Sequence, residues 1–524
     1  MMRFLIVTLL VWNLFISNGQ LLAQEIGDTS QYEFFVQLEE GTSDDTIEEY
    51  LEDLNSTEVW SHGSSGLAVW KVTSFPFTLS NGDQVLNIND VIRQSVRKTK
   101  ITESNYNLLT GVVDSTDTPT GSCFDPLIFS KAQGTQRAVK ISILDTGIDP
   151  NLSASSTPTL NYNLTNYTGF DYINNDDIPE DEHGHGSHIV GIIHSITHAI
   201  SPNESYIEFD IRKTHNALGQ GMMSNVVKAL LDAVDNSSNI VNMSFGLSDT
   251  FSLENFYPLR VAIQHALNHN VLIITASGND NKNIDILDNT TLPAVFPDGN
   301  IISVAALDCN DNKSTFSNYG AENVDIGVLG VLIPGPDSEG GIRYASGTSQ
   351  SSGIVTAVAA LLASYQNNFD PSILKCAILN GYSSVDTLNG QLLKDGKINI
   401  NTSLPIYQNL ENTYTVSNSN DTGIGSLRYG LEKVCGVDAI IFDQSTDGHV
   451  INLLNKSLFL DRPISFTGNS QNQTLINGVN LPPLIIGYNG NWIAKNLTIS
   501  KSGTATSTLI NNGKISIEHN VKIK

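Results

Sequence analysis

Basic residues are scarce in this chain. Its 524 residues include 54 Asp and Glu but only 28 Lys and Arg, a formal net charge of −26. With no local basic patch, that balance argues against nucleic acid or an anionic lipid surface as a partner. Cysteine is also sparse: Cys123, Cys309, Cys376 and Cys435 stand far apart, without the close pairs of a zinc cage, so three disulfide pairings or buried free thiols remain open. Long apolar runs are absent except at residues 4–16, which follow Arg3 and precede Ser17-Asn18-Gly19 and Ala23-Gln24. That run is shorter than the roughly 20 residues a membrane-spanning helix needs. Its layout is that of a secretory signal peptide over residues 1–24, cleaved between Gly19 and Gln24. The mature chain is therefore expected to be exported and soluble.

What is present suits several folded units. Hydrophobic residues make up 40% of the chain and charged ones 16%, a composition able to bury sizeable cores. Residues 25–110 read as a small α+β unit with strand patterns at 32–38 and 66–72 and an acidic helical pattern at 44–54. A polar stretch at 99–120 reads as a linker where maturation would cut. From residue 138 apolar runs at 139–144, 240–244, 271–276 and 301–307 alternate with helical patterns at 187–200, 224–235, 262–270 and 348–365. This predicts an α/β domain over 111–404 built on a doubly wound parallel sheet. Residues 405–524 change texture to short β runs at 439–442, 449–453, 464–467 and 484–486 with little helical signal. That all-β region fits a parallel β-helix or a sandwich.

The chemistry lies in the middle domain. Ile141-Ser142-Ile143-Leu144-Asp145-Thr146-Gly147 places a carboxylate where a buried strand ends and the chain turns. Asp-Thr-Gly also marks aspartic proteases, and Asp421-Thr422-Gly423 is a second copy, but it lacks a preceding apolar strand. Gly184-His185-Gly186-Ser187-His188 then presents an imidazole at a tightly packed helix start. His183, His185 and His188 do not have the i, i+4 spacing of a helical zinc site, so His188 reads as structural and His183 as a loop residue. In Ala345-Ser346-Gly347-Thr348-Ser349 a serine stands where a glycine turn enters an apolar helix, whose dipole favours developing negative charge. Ser351 and Ser352 read as ordinary first-turn residues.

Asp145, His185 and Ser349 follow in the chain order of subtilisin, a worked case of the serine triad. From about 125 to 382 the sequence resembles the subtilase (peptidase S8) family, through these motifs together with Val241-Asn242-Met243-Ser244-Phe245-Gly246, Ala276-Ser277-Gly278-Asn279 and Phe316-Ser317-Asn318-Tyr319-Gly320. The resemblance implies a secreted bacterial serine endopeptidase, extracellular or at the cell surface, acting on polypeptides with no cofactor in its chemistry. It further implies Asn279 as an oxyanion donor, with Ser244, Phe245, Gly246, Ala276, Ser277, Gly278 and Gly219 lining the substrate site. Residues 25–110 resemble an inhibitory prodomain. Relatives place Met-Ala-Ser/Thr-Pro after the serine, whereas this chain has Gln350-Ser351-Ser352-Gly353. Asp171, Asn174, Asp176, Asp177 and Asp181 offer oxygen ligands for a structural Ca²⁺, the alternative being a solvated acidic loop. Asn420-Asp421-Thr422-Gly423-Ile424-Gly425-Ser426-Leu427-Arg428 resembles the opening coil of bacterial parallel β-helix domains, which suggests cell-surface or glycan contact. The competing function is a secreted β-helix adhesin carrying an inactive protease fold.

Overall fold

The computed structural model describes residues 33–524 apart from 40–41, 75–76, 81–83, 86–90, 92–94, 96–100, 107–108, 112–114, 117–121, 127–136, 150–163, 165, 199–205, 249–255, 297, 338–340, 455–456, 461, 470–473, 481, 487–489, 505–506, 512 and 519. The expected signal segment, residues 1–24, lies outside the described residues. The chain divides into two units, residues 1–110 with 221–231 and 251–262, and residues 111–220 with 232–250 and 263–524.

The second unit holds a nine-stranded sheet. Its strands are β1 (Val139–Asp145), β2 (Thr168–Asp171), β3 (Ile207–Lys213), β4 (Ile240–Met243), β5 (Leu272–Ala276), β6 (Ile301–Leu307), β7 (Ile326–Leu329), β8 (Ser383–Ser384) and β9 (Gly396–Lys397). Their order is β2-β3-β1-β4-β5-β6-β7-β9-β8, and every pair is parallel except β8 with β9. All residues of β4 and β6 are buried, as a sheet covered on both faces requires. After β1 the chain builds β2 and β3 on one side and returns to β4 on the other. The carboxyl ends of β1 and β4 therefore flank a topological switch point, where such sheets open a crevice.

Helices of the chain's middle region are α1 (His185–His198), α2 (Met223–Asp235), α3 (Tyr257–Asn268), α4 (Thr348–Ala363), α5 (Pro371–Asn380) and α6 (Ile400–Gln408). Helix α4 is buried throughout and α1 nearly so, and Gly353 of α4 faces Ile189 and Ile192 of α1. The four expected sheet strands are present within one residue at either end, but β2, β3, β7, α5 and α6 went unread. Strand β3 was hidden by its charges: Asp210, Arg212 and Lys213 are all buried, held in ion pairs rather than facing water.

In the first unit an antiparallel sheet runs in the order Ser56–His62, Leu67–Val72, Glu33–Leu38, Ile101–Tyr106. Helix Asp44–Asp53 is capped by Ser43, whose hydroxyl accepts from Thr46 N at 3.3 Å. Tyr50 and Leu54 join Phe34, Val36 and Trp70 in the core, and Lys228 of α2 lies 5.8 Å from the centre of the Trp60 ring. The presumed linker over 99–120 thus contributes a strand. Its register, Phe34↔Tyr106 to Gln37↔Glu103, comes from backbone pairing that the unalternating sequence of 101–106 does not advertise.

The C-terminal region, also within the second unit, forms three ladders. Thr413–Val416, Ala439–Phe442, Pro463–Thr467, Asn491–Lys495 and Lys514–Ile517 make one; Val450–Leu453, Thr474–Val479, Leu497–Ser502 and Lys522–Ile523 the next; Leu458–Leu460, Leu484–Ile486 and Leu509–Asn511 the third. All pairings are parallel, unlike the antiparallel pairing of a sandwich. Phe442, Phe466 and Trp492 stack edge-on inside, with centroids 6.1 and 5.8 Å apart. Disulfides join Cys123 to Cys309 and Cys376 to Cys435. No helix among the described residues is long and apolar enough to cross a membrane.

Two glycines of the crossing helices make opposite predictions. A Cβ on Gly353 would lie 3.5 Å from Ile189 Cγ2, an ordinary contact, whereas one on Gly186 would lie 2.4 Å from the Gly147 carbonyl oxygen. Gly353→Ala should raise stability by about 0.5–1 kcal/mol, the usual gain inside a helix. Gly186→Ala should lower it by about 1–3 kcal/mol through overpacking. Urea midpoints of the two variants check both signs.

Candidate active site

Strand β1 delivers Asp145 to the carboxyl edge of the sheet. Its Oδ1 accepts hydrogen bonds from Thr146 N at 2.8 Å and His185 Nδ1 at 2.7 Å, with both side chains essentially buried. A carboxylate there can only accept, so Nδ1 carries the proton of this hydrogen bond. The approach depends on glycine twice. Gly147 adopts φ 115° to turn the chain, and Gly186 rests on the Gly147 backbone, with Gly186 N donating to Thr146 Oγ1 at 2.8 Å.

Helix α1 is held by Asp181. One carboxylate oxygen accepts from His183 N and Gly184 N, and the other from Ser187 N and Ser187 Oγ, all within 3.0 Å. Burial alone would raise the Asp181 pKa, but these donors outweigh it and the net shift is downward. Asp171 is similarly engaged: Ile173 N, Asn174 N and Asn174 Nδ2 donate to it, and the Lys213 ammonium lies 3.4 Å away. Of the two readings of the acidic loop, the donors facing its two buried carboxylates, Asp171 and Asp181, do not favour Ca²⁺ there. Asp176 and Asp177 are exposed.

Ser349 is the second residue of α4, after the cap residue Gly347. Its amide is among the N–H groups that find no acceptor inside a helix's first turn. The Ser349 hydroxyl donates to the Ser244 carbonyl oxygen at 2.8 Å, just beyond the end of β4. Asn279 Oδ1 accepts from Thr348 N and Thr348 Oγ1 at 2.9 and 3.0 Å. Its Nδ2 thereby faces the Gly347 turn, 3.4 Å from where a Cβ on that glycine would stand. Gly278, at φ 102°, donates to Thr348 Oγ1, and Asn318 brackets Ser277 from both sides. Thus Asp145 and His185 meet, as do Ser349 and Ser244, and Asn279 meets the start of α4. Ala276 ends β5 beside Ser277, Phe245 and Gly246 follow Ser244, and Gly219 sits apart in a turn closed by Asn216.

The remaining motif residues fall elsewhere. Asp421 is bound by Arg428 through Nε and Nη2 at 3.0 and 2.8 Å, so the second Asp-Thr-Gly is an ion-paired turn. His188 is fully buried against Gly335. Sequence reading missed Thr348, visible only as part of Gly-Thr-Ser, and His215, which no motif marks. His215 N donates to the Asp145 carbonyl at 3.2 Å, and its ring lies 4.6 Å from that of Phe245. Burial first, then the neighbouring His185 and His183, holds its pKa down to about 3.

A family model described as the subtilase family matches residues 136–403. The thermophilic serine proteinase of Bacillus sp. (strain AK1) is 31% identical over 236 residues, 44% of this chain and 53% of that protein; the chain thus spans about half of that relative's length. Thermitase of Thermoactinomyces vulgaris is 30% identical over 271 residues, 51% of this chain and 86% of thermitase. The solved epidermin leader peptide processing serine protease of Staphylococcus aureus covers 72% of this chain and 99% of its own, at TM-score 0.54 and 17% identity, a likeness of fold.

The depressed His215 pKa has a definite sign in stability. Above the ordinary value of 6.5 both folded and unfolded chains are neutral there, so no stability depends on this group. As pH falls from 6.5 towards about 3, the unfolded chain gains a proton that the folded chain refuses, and stability is lost progressively. His215→Asn should flatten the fall in thermal midpoint between pH 6.5 and 4, measured by calorimetry beside the wild type.

Proposed function

Since the chain belongs to the subtilase family of serine-type endopeptidases, we propose that it hydrolyses peptide bonds with Ser349 as nucleophile, His185 as general base and acid, and Asp145 as the orienting carboxylate. The observation that carries this reading is the buried 2.7 Å Asp145–His185 hydrogen bond at the sheet's switch point. It fixes the tautomer with a basic Nε2. In the proposed cycle the Ser349 hydroxyl leaves the Ser244 carbonyl, gives its proton to His185 Nε2 and attacks the peptide carbonyl carbon. The imidazolium passes that proton to the leaving amine, and water cleaves the acyl-enzyme by the reverse route. Asn279 Nδ2 and the Ser349 amide would hold the oxyanion, aided by the α4 dipole.

The substrate would lie extended against the backbone of Ser244, Phe245 and Gly246, with Ala276, Ser277 and Gly278 walling the pocket and Gly219 on the opposite edge. The antiparallel sheet of the first unit is proposed as an inhibitory prodomain following a signal peptide over residues 1–24. Within that unit, the contact of Trp60 with Lys228 supports the reading, since Lys228 belongs to the family-matched stretch of the chain. Residues 405–524 are read as a parallel β-helix, supported by the parallel ladders and by inward aromatic stacking across successive coils.

Hydrolysis of unfolded casein by the processed protein tests the reading. Activity should disappear with phenylmethylsulfonyl fluoride and in Ser349→Ala, and turnover should fall about a hundredfold or more in Asn279→Ala. Lack of hydrolysis by correctly processed wild type would overturn it.

A further inference from the structure

Strand β3 ends in a buried cation that neither the family motifs nor the proposed chemistry uses. Lys213 is 1% exposed. In the sheet it stands in register with Asp145 on one side and Asp171 on the other, so three ionisable residues form a row across the carboxyl ends of β1, β3 and β2. Its ammonium donates to the Glu180 carbonyl oxygen at 2.6 Å and to the Glu182 carboxylate, and lies 3.4 Å from Asp171 Oδ2. Glu180 and Glu182 flank Asp181 in the segment that leads directly into His185.

The same segment is pinned from its other side by β1. Ile148 N donates to Pro179 O, Asp181 N donates to Ile148 O, and the Glu180 carbonyl would lie 2.9 Å from a Cβ on Gly147. The 179–184 turn is therefore clamped between the loop after Asp145 and the Lys213 ammonium. Asp181 passes that constraint to the first turn of α1 through its four hydrogen bonds. A buried ammonium is costly unless fully engaged, and both hydrogen-bond acceptors of this one, Glu180 O and the Glu182 carboxylate, lie in the loop that sets the imidazole, with Asp171 of β2 as its further ion-pair partner.

We propose that Lys213 is a positioning residue for the proposed hydrolysis, holding the 180–184 turn so that His185 meets Asp145 in hydrogen-bonding geometry. This rests on the assignment of His185 as the base. Lys213 touches neither substrate nor reacting atoms. Its effect should fall on turnover rather than on substrate binding, since the 244–246 and 276–279 walls are built from other strands.

The experiment compares wild type, Lys213→Met and Glu182→Gln, measuring kcat and KM on a peptide substrate and the low-field proton resonance of the His185 Nδ1–H. Lys213→Met is expected to lower kcat at least tenfold with KM within about twofold of wild type, and to broaden or shift the resonance. Glu182→Gln, at a half-exposed partner, should lower kcat several-fold with the fold intact. A folded Lys213→Met with wild-type kcat and an unchanged resonance would overturn the proposal. Should that variant fail to fold, wild-type kcat and an unchanged resonance in Glu182→Gln would do so. An inactive wild type would instead sink the hydrolytic reading, and the resonance would still decide the role of Lys213.

Discussion

The hydrogen bond from His185 to Asp145 is the constraint around which the candidate site is arranged. A carboxylate taken out of water costs several kcal/mol unless donors replace its hydration. Asp145 recovers two, the imidazole and the Thr146 amide. Holding that pair requires a strand end, a helix start and almost no room between them, which explains Gly147 and Gly186 back to back. The Asp181 hydrogen bonds then fix the helix start from the loop side. None of these groups performs the proposed chemistry, yet each removes a direction in which the imidazole could drift.

The Ser349 side uses a different device. Ser349 rides on a long helix buried along its length, and its own amide at that helix's start would supply polarity where charge develops in the proposed reaction. Asn279 reinforces the same end by accepting from Thr348, which orients the rest of its amide towards the turn. The serine hydroxyl rests on the Ser244 carbonyl, a neutral acceptor that a substrate strand bound along residues 244–246 would approach. In the proposed reaction, substrate binding and release of the hydroxyl to His185 would share one edge.

The residues of the proposed site stood in clearer motifs than those that support them. Asp145, His185, Ser349 and Asn279 lie in short motifs whose glycines and apolar neighbours announce a strand end or a helix start, and the strands around them read from continuous apolar runs. Strand β3 was lost because its buried charges imitate a surface strand, and only tertiary pairing shows Lys213 and Arg212 to be inside. Helix α5 carried a readable signal, Asp370 capping Ser372 and Ile373 with Pro371 at the first helical position. The acidic loop left two readings open, a cation site or a solvated loop, because composition does not tell whether carboxylates point outward or at backbone amides. Disulfide pairing was open among three choices because cysteine spacing carries no spatial information at such separations.

The parallel ladders of the C-terminal region raise a register problem that the second unit solves at its junction. Similar strands stacked in parallel permit slippage, since each offers nearly the same face to the next. Polar rungs resist it locally: Asn477 Nδ2 reaches Asn452 and Ser502, each 25 residues away, and Asn480, Asn496 and Asn520 take left-handed conformations at corners that asparagine tolerates. The start of the ladders needs an anchor of another kind. Arg428 binds Asp421 and Glu432, Asn380 Nδ2 donates to Lys433 O at 3.0 Å, and Cys435 is joined to Cys376 on α5. With the first strands of the ladders fixed to helix α5 beside the sheet, later strands inherit their register from them. The stacked aromatics Phe442, Phe466 and Trp492 then make slippage costly, because a one-residue shift would turn each ring outward.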